Sequence, residues 1–219
     1  MKTFTALCLS ALACASSACV DTSHALHGIP ATATANRLPV LEASAEMGPL
    51  HLSEGITHAD LLRLFKAEVE HNITSGEGSD ASSYGWARLE VTEALTGRTG
   101  RALQIVQLCT LLVPSIFGLP LESYETAVKV RMQILDAQGE LVGEYQGEGR
   151  AKVWVALYYG YSQHKAPGLA DAVALRLALA QIRPQLDTAA GRLRPLLLAR
   201  GLQASPGTTG LVADTTAKP

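Results

Sequence analysis

The chain has 219 residues, a formal net charge of -2, and 18 Lys and Arg residues scattered along its length. Near neutrality without a basic cluster excludes the positively charged surface that nucleic-acid binding requires. The sequence also lacks the HExxH, CxxC, GxSxG and Walker patterns that mark common catalytic and metal sites. It therefore predicts no cofactor, no metal ion and a role without enzymatic activity.

The first 18 residues have the layout of a secretory signal peptide. Lys2 is the only charged residue before Asp21, and an apolar run follows it at 4–15. Small residues then lead to Cys19, as a cleavage region requires. The apolar run has about 12 residues, too few to span a hydrocarbon core of about 30 Å. The sequence therefore predicts export from the cytoplasm and removal of residues 1–18.

The cleavage region resembles the lipobox of bacterial lipoproteins, in which small residues precede a lipid-bearing cysteine. The matching segment is ASSAC at 15–19, with Ser16 at the place where leucine is usual. The resemblance implies that Cys19 carries palmitate and other acyl chains, which anchor the protein in a membrane. Val20 stands where an Asp retains lipoproteins in the inner membrane, which implies the outer membrane. Cleavage by the general signal peptidase, which leaves a soluble periplasmic or secreted protein, is the alternative.

Composition divides the rest of the chain into three parts. Residues 19–55 are rich in Ala, Thr, Ser, Pro and His without periodicity, which predicts a flexible tether. Residues 56–203 carry the periodic segments and are long enough for one domain with its own core. The tail at 204–219 is similar to the tether in composition, and we expect it to be disordered.

The first periodic segment predicts an amphipathic helix that begins near Thr57. Leu61, Phe65 and Val69 recur at four-residue steps, so they lie on one face of that helix. A strand is predicted at 84–95, which is enriched in residues that favour strands.

The segment 102–121 carries no charge over about 20 residues, the length of a membrane-spanning helix. Pro114 and Pro120 interrupt a helix interior, so we favour a buried strand at 102–112 followed by an apolar loop. Cys109 would then be a small core residue. Two alternatives stay open: a loop that dips into the membrane or binds a partner, and a true spanning helix.

The clearest periodicity predicts an antiparallel hairpin. Apolar and polar residues alternate over 128–134, the turn sequence DAQG follows at 136–139, and alternation resumes over 141–156. Gly147 and Gly149 fall on the inner face, where glycine predicts the close approach of a helix or of the apolar loop. The ion pairs expected across the wet face join Lys129 and Arg131 to Glu144 and Glu148.

Aromatic residues and an alanine-rich helix follow the hairpin. The aromatic residues, which either line a ligand surface or cap one end of the sheet, are Trp154, Tyr158, Tyr159 and Tyr161. The helix is expected to begin near Gly168, to kink or end at Pro184, and to resume over 185–199. Its predicted apolar stripe is Leu169, Val173, Leu177 and Ile182.

These elements predict a two-layer α+β domain, in which an antiparallel sheet of about four strands carries two helices on one face, in the order α-β-β-β-β-α. The segment TLLVP at 110–114, Tyr124, the hairpin and the alanine-rich helix together resemble a class of uncharacterised bacterial envelope lipoproteins. Those proteins often carry a TLGxxP-like apolar segment before a strand hairpin. The resemblance covers 102–188 and implies an envelope location, without catalytic residues.

We therefore expect an exported envelope protein with a non-enzymatic binding or structural role, and we favour binding to an envelope partner. The candidate partner-binding residues are Pro114, Ile116, Phe117, Leu119, Trp154, Tyr158, Tyr159 and Tyr161. A carrier of lipids or other amphiphiles is one alternative, and it requires an apolar cavity between sheet and helices. An envelope enzyme is the other, and it requires that dispersed polar residues such as Glu148, Arg150 and His164 form one concave cluster.

Overall fold

The computed structural model describes residues 34–75, 83–100, 120–155 and 162–201, together with Ile105 and Cys109. They form a four-stranded sheet and two helices in two layers, the predicted α+β fold. The elements are β1 (Glu42–Glu46), α1 (His58–Glu68), β2 (Gly85–Thr99), β3 (Glu122–Asp136), β4 (Leu141–Val155) and α2 (Ala166–Ala199). The signal peptide 1–18, Cys19 and the tail 204–219 lie outside the described residues and stay predictions.

The sheet is mixed, and in this detail the prediction of a purely antiparallel sheet is wrong. Its strand order is β1-β2-β3-β4, with β1 parallel to β2 and the other neighbours antiparallel. The chain leaves β1 through α1 and returns to begin β2 at the end of the sheet where β1 began. Such a crossover joins parallel strands. The order of elements is therefore β-α-β-β-β-α, whereas the predicted order lacked the first strand and included a strand at 102–112.

Strand β1 lies in the stretch that was predicted to be a tether. Its sequence EASAE has no large apolar residue, so no periodic pattern marks it, and pairing with β2 makes it a strand. Leu38 and Leu50 on either side of it are buried in the core. The fold therefore includes residues 34–55, and the predicted tether at 19–55 is too long.

The hairpin of β3 and β4 is confirmed. The Asp136 Oδ1 atom closes its turn by accepting the backbone N–H groups of Gln138 at 2.9 Å and Glu140 at 2.8 Å. Gly139 has a φ of 85°, a conformation that favours glycine. Both predicted ion pairs form, at 3.7 Å between Lys129 Nζ and Glu148 Oε1 and at 3.5 Å between Arg131 Nε and Glu144 Oε1.

The apolar segment 102–121 lies mostly outside the described residues. Ile105 and Cys109 within it have helical backbone and exposed side chains, so a buried strand at 102–112 is wrong at these two positions. The sheet explains the error, because β3 already has β2 on one side and β4 on the other. No place beside β3 is left for the predicted strand.

Helix α1 begins where the sequence predicts it. The Thr57 hydroxyl caps it by accepting the Asp60 N–H at 3.2 Å. Leu61 and Phe65 are fully buried, and the helix continues into one π-helical turn at Val69–Ile73.

Helix α2 runs along the whole hairpin. Its 34 residues span about 51 Å, and the 15 residues of β4 span about 50 Å. Pro184 does not divide it as predicted, because proline removes a single hydrogen-bond donor while Ile182 and Leu186 on either side are buried in the core. Leu177 departs from the predicted apolar stripe, since its side chain is exposed.

Gly147 and Gly149 allow α2 to lie directly on β4, as their position on the inner face predicts. A Cβ atom at Gly147 would fall 2.2 Å from the Ala178 carbonyl oxygen. One at Gly149 would fall 1.8 Å from the Ala174 carbonyl oxygen. Any side chain at these positions would therefore separate the helix from the sheet.

A buried ion pair joins α2 to α1. Glu68 accepts the Arg183 guanidinium through both oxygens, at 2.5 Å to Nε and 3.0 Å to Nη2. Asn72, in the π-helical turn, donates to the same carboxylate at 2.9 Å. Since a buried charge is costly without partners, this network fixes where α1 can sit against α2.

Asp171 connects the start of α2 to the loop before α1 and to β3 through hydrogen bonds. Its carboxylate accepts the Ser53 hydroxyl at 2.8 Å, the Ile56 N–H at 3.2 Å and the Thr126 hydroxyl at 2.7 Å. Three elements distant in sequence therefore meet at one buried carboxylate.

Arg200 connects the other end of α2 to the hairpin turn, because its guanidinium forms an ion pair with the buried Asp136 carboxylate. Burial alone raises the pKa of Asp136. Arg200 and the backbone N–H groups of Glu140 and Gln138 outweigh burial and hold the pKa below its ordinary value of 3.8.

The glycine contact can be tested by Gly149→Ala, which we expect to reduce the free energy of unfolding by about 1–3 kcal/mol through overpacking. Urea unfolding followed by circular dichroism measures it. Gly191→Ala is the matched control, because no heavy atom lies within 4 Å of the added Cβ. It should leave stability unchanged or raise it by up to about 1 kcal/mol. Equal stability of the Gly149→Ala and unaltered proteins would contradict the close packing.

The Asp136–Arg200 pair predicts a pH-dependent effect of Arg200→Ala. Near pH 7 the loss of about 1 kcal/mol lowers the melting temperature by about 2–4 °C. Folding lowers the pKa of Asp136, so its stabilisation is present above the unfolded pKa and is lost as pH falls through the folded pKa. The deficit should therefore shrink in thermal melts as the pH is lowered below 3.8, the ordinary pKa of Asp. Arg194→Ala, at an exposed position of the same helix, is the control. A deficit independent of pH would contradict the pair.

Candidate functional site

The two faces of the sheet differ in what covers them. Both helices contribute to one core cluster with the inner face of β2, β3 and β4. On the other face, side chains of β4 alternate with the buried ones and are exposed, from Glu144 to Trp154. In the part of the chain that the structure describes, no element packs on this open face.

The centre of the open face is a row of alternating charges. Lys129 on β3 lies between Glu93 on β2, at 3.0 Å, and Glu148 on β4, at 3.7 Å. A β-bulge at Thr92 precedes Glu93 and turns it towards this face. Two shallow depressions, of about 390 and 490 Å3, share Glu93, Lys129 and Glu148 in their walls. Further pairs are Arg131–Glu144, Arg150–Glu125 and Arg88–Glu46.

The charge row is suited to recognition rather than to proton transfer. The hydrogen bond and charge of Glu93, with the charge of Glu148, raise the pKa of Lys129 above its ordinary value of 10.5. Lys129 therefore stays protonated at neutral pH, whereas a nucleophilic lysine needs a lowered pKa. The cations of the flanking pairs each have a carboxylate neighbour as well.

Trp154 lies on the open face near one end of the sheet. Its side chain is 46% exposed, and the Lys152 Nζ atom is 4.4 Å from the centre of its ring. This distance is within the range of a cation–π contact, which holds the indole in place. A half-exposed, fixed indole is the kind of side chain that protein interfaces use as an anchor.

Trp154 is the one candidate partner-binding residue within the described part of the chain. The others, Pro114, Ile116, Phe117, Leu119, Tyr158, Tyr159 and Tyr161, lie outside the described residues. The residues that border them are described. Thr99 pairs with Ser123, and Ser123 pairs with Trp154. The apolar segment and the aromatic segment therefore leave the sheet at the same end, although they are far apart in sequence.

Polar side chains lie on the inner side of this end, beside a small apolar cluster that includes Val153 and Val155. The Arg98 guanidinium donates to Glu122 at 2.5 Å and lies 5.7 Å from the centre of the Tyr124 ring. Burial and the neighbouring Glu122 carboxylate raise the pKa of Tyr124. Its phenol therefore remains protonated and offers hydrogen bonding rather than base chemistry.

The cluster expected for an enzyme does not form from Glu148, Arg150 and His164. Glu148 and Arg150 are exposed on the open face and pair with Lys129 and Glu125. His164 lies in the exposed turn before α2, the helix that covers the opposite face. The cavity expected for a lipid carrier is also missing where α2 lies directly against Gly147 and Gly149.

Two glutamines of α2 cover part of the outer edge of β4. Gln181 Oε1 accepts the Glu148 N–H at 3.1 Å, and Gln185 Nε2 donates to the Gln146 carbonyl at 2.8 Å. The side chains thus satisfy backbone groups that an edge strand leaves open to other chains. Sequence reasoning missed them. Their spacing of four residues on a helix expected to pack on the hairpin is the signal that would have found them.

No protein-family model matches the chain, and a search of curated proteins finds no significant relative. Among the described residues, no group of three His, Cys, Asp or Glu side chains is placed to hold a metal ion. None of the described helices combines the length and the hydropathy needed to cross a membrane. Function is therefore inferred from this chain's own residues.

Proposed function

We propose that the protein is an exported, lipid-anchored protein of the bacterial outer membrane that binds an envelope protein without catalysing a reaction. The observation that carries the binding role is the exposed Trp154, which lies at the end of the sheet from which the apolar segment and the aromatic segment both leave. The signal peptide and Cys19 carry the anchoring role. The partner would contact Trp154 together with the candidate residues of the two segments.

The path of the chain supports a site at the end of the sheet opposite to the one where the chain enters the fold. The chain enters the fold at the hairpin-turn end, because Glu42 pairs with Trp86 and Trp86 with Leu135. Leu141 begins β4 at this end, and Trp154 lies 13 residues further along, a distance of about 43 Å. A partner at the far end of the sheet would therefore bind at a distance from the point where the chain enters the fold.

The charges of the open face support binding over catalysis. Each cation in the row has a carboxylate neighbour, so positive and negative charges alternate across the surface and its net charge is small. Complementary charges of this kind determine which partner fits and in which orientation. Trp154 adds apolar area at the end of the pattern.

Mass spectrometry of the mature N-terminus tests the anchor. We expect a peptide that begins at a diacylated or triacylated Cys19, and we expect Cys19→Ala to release the protein from the membrane fraction. An unmodified N-terminus in the membrane-free fraction would overturn lipidation. It would leave the binding role of Trp154 in place.

Site-specific photo-crosslinking in cells tests the binding end. A photoreactive residue at position 154 is expected to crosslink to one envelope protein, and deletion of 114–120 should reduce the yield. The same residue at Glu144, which is exposed at the opposite end of the same strand, is the control. Equal yields from positions 154 and 144, or an undiminished yield after the deletion in a protein with unchanged circular dichroism, would contradict the proposed site.

A further inference from the structure

On the outer edge of β4, side chains of α2 bond to two backbone groups near the middle of the strand, and the groups from Arg150 to Trp154 are open. Hydrogen bonds to Gln181 and Gln185 show that the backbone groups of Glu148 and Gln146 point away from β3. Backbone groups alternate along a strand, so those of Arg150, Lys152 and Trp154 also point outwards. Within the described part of the chain, no hydrogen bond occupies them.

The series of helix side chains that bond to the edge of β4 ends before Leu177. Four residues of α2 advance about 6 Å, and two residues of β4 advance about 6.7 Å, so helix and strand stay in step. Gln185 reaches Gln146 and Gln181 reaches Glu148. The next position in this series is Leu177, opposite Arg150. A leucine side chain cannot form a hydrogen bond with the backbone of the strand. The Leu177 side chain is 46% exposed beside the open edge.

We propose that the edge from Arg150 to Trp154 is a strand-addition site for an extended, acidic segment of a partner protein. The added strand would bond to the outward N–H and C=O groups of β4. On the open face its side chains would be carboxylates, and on the inner face they would be apolar and contact Leu177. The inference rests on the partner-binding part of the proposed function and is independent of the lipid anchor.

The charge beside the open edge selects an acidic segment. Arg150 and Lys152 both extend from the open face and are exposed. A residue directly opposite them on an added strand would have its Cβ atom about 4.5–5.5 Å away, where a carboxylate is favourable and a cation is unfavourable. Glu125 is the one carboxylate bonded to this pair of cations among the described residues, so a further negative charge is accommodated.

The same charges argue against a second copy of this chain as the occupant. Antiparallel pairing of two open edges with Lys152 opposite Lys152 or opposite Arg150 would bring like charges together, and the register with Lys152 opposite Trp154 would pair only residues 152–154. The register that pairs Arg150 with Glu148 requires the part of the edge that Gln181 and Gln185 cover. The chain's own segments 20–33 and 202–219 each hold a single Asp and no Glu, so neither supplies alternating carboxylates.

Leu177→Gln is the most specific variant, because it should extend the glutamine series by one position and cover the edge at Arg150. Leu and Gln have similar helix propensities, and the position is exposed, so the fold should be retained. Lys152→Glu reverses one of the two selecting charges. Lys66→Glu is the matched control, since it makes the same charge change at an exposed position of α1.

The probe is a short fluorescein-labelled peptide that alternates Glu and Val, and its counterpart alternates Lys and Val. Fluorescence anisotropy with the purified protein measures binding, and amide hydrogen exchange measures protection of the backbone. We expect the Glu–Val peptide to bind and to protect the N–H groups of Arg150, Lys152 and Trp154. Leu177→Gln and Lys152→Glu should each weaken binding by about tenfold or more, whereas Lys66→Glu should not.

The inference would be overturned if the Glu–Val peptide did not bind, or if the Lys–Val peptide bound equally well. It would also be overturned if the Leu177→Gln variant, with an unchanged melting temperature, bound the Glu–Val peptide as tightly as the unaltered protein. Protection of the same amides by dimerisation of the protein itself would overturn it as well. Crosslinks from position 154 in cells distinguish the two proposals. If they persist while peptide binding fails, the binding end remains and strand addition is wrong. If both fail, the binding role itself is wrong.

Discussion

The rest of the structure depends on the direct contact between α2 and the backbone of β4 at Gly147 and Gly149. With no side chain between them, the helix lies low enough for Gln181 and Gln185 to reach the outer edge of the strand. Because helix and strand have nearly equal lengths, Arg200 also reaches the hairpin turn. The contact leaves no space for a ligand at these positions. Function is therefore sought on the open face and on the edge of the sheet.

Buried and exposed charges have different roles in this fold. Glu68 and Asp171 lie in the interior and connect elements that are distant in sequence, so their partners determine how α1 and the preceding loop sit against α2. Exposed pairs contribute little to stability, typically below about 1 kcal/mol each. The Glu93–Lys129–Glu148 row can therefore differ in sequence without loss of the fold, and its pattern is available for recognition.

The binding end and the open edge of β4 form one continuous surface. Trp154 belongs to both, Lys152 holds its ring, and Leu177 lies on the helix side of the same edge. A partner that adds a strand there would also lie beside the points where the apolar and aromatic segments leave the sheet. In both proposals this half of β4 would bind a partner with its open face and edge, while its inner face packs on α2 through Val153 and Val155.

Local periodicity was sufficient to predict α1, the hairpin, its ion pairs and the close approach at the glycines, because burial on one side of an element repeats along its own sequence. The sequence alone also predicts a signal peptide and nominates Cys19 and Trp154 as functional residues, and these stay predictions. Tertiary structure alone decided that EASAE forms a parallel strand and that α2 continues through Pro184. It also decided that Gln181 and Gln185 bond to the outer edge of β4. Each of these depends on a partner that is distant in sequence or on packing against the sheet, and no periodic pattern within the segment records such a partner.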